Sequence, residues 1–172
     1  MSEHLAMSNL SEQITELISN IRALQPRTHA EIGVVGAAII EEQLLRALLT
    51  KMRPLSGEMK KRLFDGYGPL SSFSAKIDLS YALQILNKDQ YDDLTVIRRI
   101  RSQFGHSMPL VNFDKPEMRE HFKRFKTLQA GETDYRAFYL RKLQEIDRHL
   151  DNAIGEAEQS SASQSSSEQH AP

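Results

Sequence analysis

Apolar residues in this chain recur at spacings of three and four in segment after segment, and no alternation long enough to make a strand interrupts them. That period lays a greasy stripe along a helix, so the chain is restricted to helix-on-helix packing. The expected fold is all-α, a single-domain bundle of six to seven helices. A length of 172 residues suits one hydrophobic core rather than two.

The helices can be placed by their caps. Leu10, Ile14, Leu17, Ile18, Ile21 and Leu24 mark a first amphipathic helix, after a flexible start over residues 1–9. Thr28 and Glu31 have the spacing of a capping box for a long helix that runs to Arg53, where Pro54 steers the chain out of the α region. Gly33, Gly36, Ala37 and Ala38 leave its first half thin, which suits close packing inside one chain or across a two-fold subunit contact. A short helix over residues 56–64 precedes the turn at Asp65, Gly66, Tyr67, Gly68 and Pro69. Residues 70–86 then read as a helix buried around most of its circumference, and therefore central. Asn87 and Gln90 form another capping box. Pro116 and Glu117 begin a helix after Asp114 that is expected to run to about Ala130, and Thr133 caps a last long helix. The domain is thus expected over residues 10–154. The Ser- and Gln-rich residues 155–172 offer little apolar surface to bury and are expected to be disordered.

Composition narrows the chemistry. There is no cysteine, which removes disulfides, thiolate nucleophiles and Cys-based zinc sites. The six histidines are scattered, none at helical ligand spacing from another, so neither a metal site nor a cofactor is expected. No Walker loop or other phosphate-binding glycine motif occurs. The start lacks a signal peptide's apolar core and no run approaches membrane-spanning length, so a cytoplasmic protein without membrane contact is expected. A net charge of −1 gives no general attraction to nucleic acid.

The candidate functional residues lie in the stretch DDLTVIRRIRSQFGH. Leu94, Ile97, Ile100 and Phe104 form its apolar stripe, and Arg101 falls inside it. A guanidinium starting from a packed face needs a partner or a path to water. Gly105 is suited to a left-handed helix stop that would bring His106 back towards the last carbonyls and Arg101. In the plainer reading Arg101 snorkels and His106 caps. Further cations could meet a nucleic-acid backbone: Lys60, Lys61 and Arg62 on one surface, Arg98 beside Arg101, and Lys115, Arg119, Lys123, Arg124 and Lys126 on another. A helix-turn-helix at Asn87 is disfavoured, because its second helix would present Asp89, Asp92 and Asp93 to the phosphates.

Two blocks, GPLSSFSAKI at residues 68–77 and IRRIRSQFGH at residues 97–106, resemble the mannitol operon repressor (MltR) family over roughly residues 28–150. That resemblance implies an all-helical, homodimeric bacterial regulator, a transcriptional repressor of a mannitol or similar operon. Such proteins carry no ordinary helix-turn-helix, and they act by binding nucleic acid or a protein. The second block is also similar to the Arg-x4-6-His signature of HEPN domains, helical dimers of which some cut RNA without a metal. Under that alternative His106 would move a proton and Arg101 would steady the phosphorane charge. Ser102 stands where that superfamily often has asparagine.

Overall fold

The computed structural model describes residues 29–107 and 112–168. They form six helices, α1 His29–Thr50, α2 Gly57–Phe64, α3 Phe73–Ala82, α4 Lys88–Ser107, α5 Pro116–Phe122 and α6 Tyr135–Glu168, with no strand among the described residues. The helix expected at residues 10–24 and the Thr28 cap lie outside them. So does most of the crossing after α4.

The centre of the bundle is α1, which packs against α6, α4 and α3. Its small residues explain how it can touch three helices. A Cβ on Gly33 would stand 2.2 Å from Cδ2 of Phe104 on α4, and one on Gly36 would stand 2.4 Å from Cδ1 of Leu143 on α6. Both glycines therefore admit a side chain from a neighbour in the same chain, and at these two positions the thin surface is filled within the molecule. The buried Tyr139 hydroxyl completes the seam by donating to the Gly33 carbonyl at 3.0 Å. Burial pushes that phenol far above its ordinary range, with the Arg101 charge opposing, so it remains a neutral donor.

The segment expected to be central is instead short. α3 buries Phe73, Lys76, Ile77 and Ser80, while Tyr81 and Leu83 are 41% and 39% exposed. It stops because Gln84 adopts φ 58°, the left-handed conformation. Ile85 N–H then donates to Ser80 O at 2.9 Å and Gln84 N–H to Tyr81 O at 3.0 Å, the paired bonds of a Schellman ending. This turn sends Ile85 and Leu86 into the core from outside the helix. Their hydrophobicity was real; their helical register was not. The Asn87 box forms as expected, with Gln90 N–H donating to Asn87 Oδ1 at 2.9 Å and Asn87 N–H to Gln90 Oε1 at 2.8 Å.

Other helix boundaries also differ from the sequence reading. α4 continues through Gly105 to Ser107, so the left-handed stop expected there does not form, and His106 lies in the last helical turn. A glycine costs a helix interior about 1 kcal/mol, too little to end one already packed. α5 ends at Phe122 rather than near Ala130, and successive turns deliver Phe125 to the core. There Phe113 gathers His29, Phe104, Phe122 and Tyr139 at centroid separations of 5.4, 4.9, 5.9 and 5.2 Å, and side-chain packing of this kind outweighs the propensity of residues 123–130 to continue a helix. α6 starts one residue later than expected, with Asp134 Oδ1 accepting from Ala137 N–H at 2.8 Å, and its backbone passes Gly155 and stays helical to Glu168. Glu156, Ala157 and Glu158, which follow directly, are strong helix formers, and one glycine does not cancel them. No described helix is long and apolar enough to cross a membrane.

Candidate functional site

The second half of α4 carries two faces. Leu94, Ile97, Ile100 and Phe104 are buried, as their spacing required. Arg98, Arg101, Ser102 and Gly105 recur at the same helical spacing beside them, and with His106 they form one wall of an open groove of about 470 Å³. The opposite side is Val34 of α1 together with Ser72, Phe73 and Ser74 at the start of α3. Ser72 is the N-cap, its hydroxyl accepting from Ala75 N–H at 3.1 Å. Arg98, Arg101 and His106 are thus brought to one place.

The partner that Arg101 needed is Glu41. Its Oε2 accepts from Arg101 Nη1 at 2.5 Å, and its Oε1 accepts from Lys76 Nζ at 2.7 Å. Lys76 also donates to the Ser71 carbonyl at 3.0 Å. One carboxylate on α1 therefore holds a cation from α3 and another from α4. The Arg101 guanidinium lies over the Phe73 ring, 5.6 Å from its centroid. It is neither a free snorkelling arginine nor a naked charge in the core. His106 is exposed at the rim and does not cap by returning through a glycine turn.

The other expected binding residues lie elsewhere. Lys60, Lys61 and Arg62 are exposed on α2, and none pairs with a carboxylate of the described residues. The basic face expected over residues 115–126 is broken up. Lys115 is the N-cap of α5, Arg119 lies 5.7 Å from the Tyr135 ring centroid, and Lys123 pairs with Glu120 at 2.5 Å. Lys126 bonds Asp89 and Asp92, each at 3.0 Å. These hydrogen bonds, to Asp89 and then Asp92, push the Lys126 ammonium up to about 12, so it stays charged and occupied. Arg124 remains exposed. Two of these cations are thus already met by acids from the chain itself.

Glu41, Lys76 and Phe73 were not singled out by sequence reasoning. Lys76 gave a signal, a cation inside the apolar run around Phe73 and Ile77, whereas Glu41 looked like any carboxylate on a long helix.

The sequence matches no family model and no curated protein. Among solved structures it is similar to a chain of the X-ray structure of the MtlR–HPr complex from Escherichia coli, with a TM-score of 0.54 and 18% identity. The match covers 84% of this chain and 97% of that one. The likeness is one of fold. It spans nearly the whole of that chain, so the bundle and its helix order are shared rather than a fragment of them.

Proposed function

We propose that this chain is a regulatory protein of the MtlR type that acts by binding a protein partner, with the groove between α3 and α4 as the contact. The observation that carries the proposal is the fold likeness to a protein captured in complex with HPr, extending over 97% of that chain. The groove supports it chemically. It offers Arg98, Arg101 and His106 on one wall, serine hydroxyls on the other and an apolar floor at Val34 and Phe73, a mixture suited to a polar protein surface. In its narrower form the proposal is a cytoplasmic, homodimeric bacterial repressor of a mannitol or similar operon.

Titration calorimetry with purified HPr tests the partner. Binding that is lost in Arg98→Ala and His106→Ala, with helical circular dichroism unchanged, is the expected result; the absence of heat at micromolar concentrations would remove the proposal. Sedimentation of the same sample should give a dimer.

The second reading, a metal-independent ribonuclease, is favoured by the fact that Arg101 and His106 line one groove. The Glu41 contact weighs against it, because a neutralised guanidinium has less charge to offer a phosphorane. Incubation with mixed RNA in EDTA separates the two. Intact RNA is expected, and fragments with cyclic-phosphate ends would replace the binding protein with a nuclease.

A further inference from the structure

Tyr67 is fully exposed, at 107% of its reference area, and it stands at the tip of the turn joining α2 to α3. The turn that displays it is tightly built. Gly68 N–H donates to Asp65 O at 2.9 Å, Leu70 N–H to Leu63 O at 2.9 Å and Ser71 N–H to Gly68 O at 3.0 Å. Gly66 takes φ +56°, and a Cβ on Gly68 would lie 2.5 Å from Leu63 O and 2.7 Å from Arg62 O. The turn is therefore pressed against the end of α2, and a glycine on each side leaves both ring faces uncovered. An aromatic ring held out in this way exposes apolar area that a loose loop could have folded down.

The chain leading up to it is rich in exposed cations. Lys60, Lys61 and Arg62 occupy the last turns of α2, and Lys51 and Arg53 lie in the connection before it, all exposed. None of the five pairs with a carboxylate of the described residues, whereas Lys76, Lys88, Arg101, Lys123, Lys126, Arg141 and Lys142 all do. The acids of the same stretch are Glu58 and Asp65. A protein-binding tyrosine usually anchors a patch with further apolar groups around it; here Leu63 and Leu70 are half-buried and the exposed chain neighbours are Asp65, Gly66 and Pro69, of which only the proline is apolar. A duplex keeps its bases stacked on one another and gives a lone ring nothing to stack on. An unpaired base with phosphates on either side matches both the ring and the charges.

We propose that Tyr67, with Lys60, Lys61 and Arg62, forms a contact surface for single-stranded nucleic acid. The ring stacks on an unpaired base, and the cations follow the backbone. This surface is separate from the groove between α3 and α4, and it stands or falls independently of the HPr reading.

Fluorescence anisotropy of the full chain with labelled oligouridylate and oligothymidylate, each about twelve nucleotides long, tests it at low salt. Both strands should bind. Tyr67→Ala should weaken binding about tenfold or more while Tyr67→Phe stays near wild type, since stacking needs the ring and not the hydroxyl. The triple change Lys60→Gln, Lys61→Gln and Arg62→Gln should reduce the slope of log affinity against log salt by about 2. All four side chains are exposed, so thermal melts should be unchanged. No binding, equal binding by wild type and Tyr67→Ala, or tighter binding of a duplex of the same length would each overturn the proposal. So would displacement of the strand by polyglutamate at matching charge, which would make this a surface for acidic proteins. Loss on Arg98→Ala with Tyr67→Ala unaffected would move the contact to the groove and overturn it equally.

Discussion

Glu41 faces two cations with very different access to water. The Lys76 side chain is 7% exposed and that of Arg101 is 34% exposed, so loss of the carboxylate strands the lysine far more than the arginine. Glu41→Gln is expected to destabilise the fold by about 2 kcal/mol, below the range for a fully buried pair because Arg101 can turn to solvent. Adding Lys76→Met to Glu41→Gln should recover much of that loss, since the stranded charge goes with it. Urea denaturation of the single and double variants measures both, and no recovery in the double variant would mean that the cost lies at Arg101. The sequence showed that Arg101 needs a partner or a path to water. It could not show which carboxylate, because Glu41 lies 60 residues away and only the crossing of α1 with α4 brings the two together.

Two helices carry local compromises that can be read from their backbones. Gln84 ends α3 with φ 58° and is exposed, a conformation that crowds the Cβ of any residue but glycine. Gln84→Gly should raise stability by about 0.5–1 kcal/mol, the relief of that crowding less the extra freedom of an unfolded glycine. A lower melting temperature would show that the glutamine side chain makes a contact worth more than the strain. On α1, the two close glycines should respond differently. The Cβ of Gly33→Ala meets ring atoms of fully buried Phe104, which has no room to withdraw, and about 2 kcal/mol of destabilisation is expected. Gly36→Ala meets only the tip of Leu143, which can rotate, and a helix-propensity gain of about 1 kcal/mol offsets the clash. Thermal melts of the two variants should therefore separate by several degrees, with Gly33→Ala the lower. That the stretch was thin was legible in the sequence; that it faces Phe104 and Leu143 was not.

The seam between α1 and α6 gives the whole molecule a pH dependence. Gln43 Nε2 donates to Asp147 Oδ1 at 3.0 Å and to Asp151 Oδ1 at 2.9 Å, while Arg46 donates to Gln43 Oε1 at 2.9 Å. Burial raises the Asp147 carboxyl above its ordinary 3.8, the Asp151 charge adds to this, and the Gln43 hydrogen bond opposes it. The folded state therefore keeps a proton on Asp147 at a pH where the unfolded chain has lost it. Stability from this group declines as pH rises from the ordinary carboxylate range through the raised value, and the cost is complete above it. Asp147→Asn, which keeps the acceptor for Gln43, should raise the melting temperature at pH 7, with the gain fading as the pH approaches 4. Asp92 titrates in the opposite sense, held below its ordinary range by hydrogen bonds from Lys88 and Lys126, so the comparison must be made between variant and wild type at each pH. At the far end of α6, Ile154 is the last buried side chain among the described residues. Removing residues 161–172 should change stability by less than about 0.5 kcal/mol, and a larger fall in a urea titration would show that this end packs on the domain.

By itself the sequence determined that the chain is helical, where most helices begin, and which residues on α1, α4 and α6 turn inward. Those properties come from a 3.6-residue period and from caps such as Asn87 with Gln90, which act within a few residues of chain. It also marked Arg101 as a charge in need of a partner or a path to water. Tertiary structure alone decided that α1 rather than residues 70–86 is central, that α3 stops at Gln84, and that α4 runs through Gly105. It alone decided that Lys126 is occupied by Asp89 and Asp92 while Lys60, Lys61 and Arg62 meet no carboxylate of the described residues. Each of these depends on what one helix finds on the surface of another. A helical period fixes the direction of a side chain around its own axis, and the packing of the other helices fixes what stands in that direction.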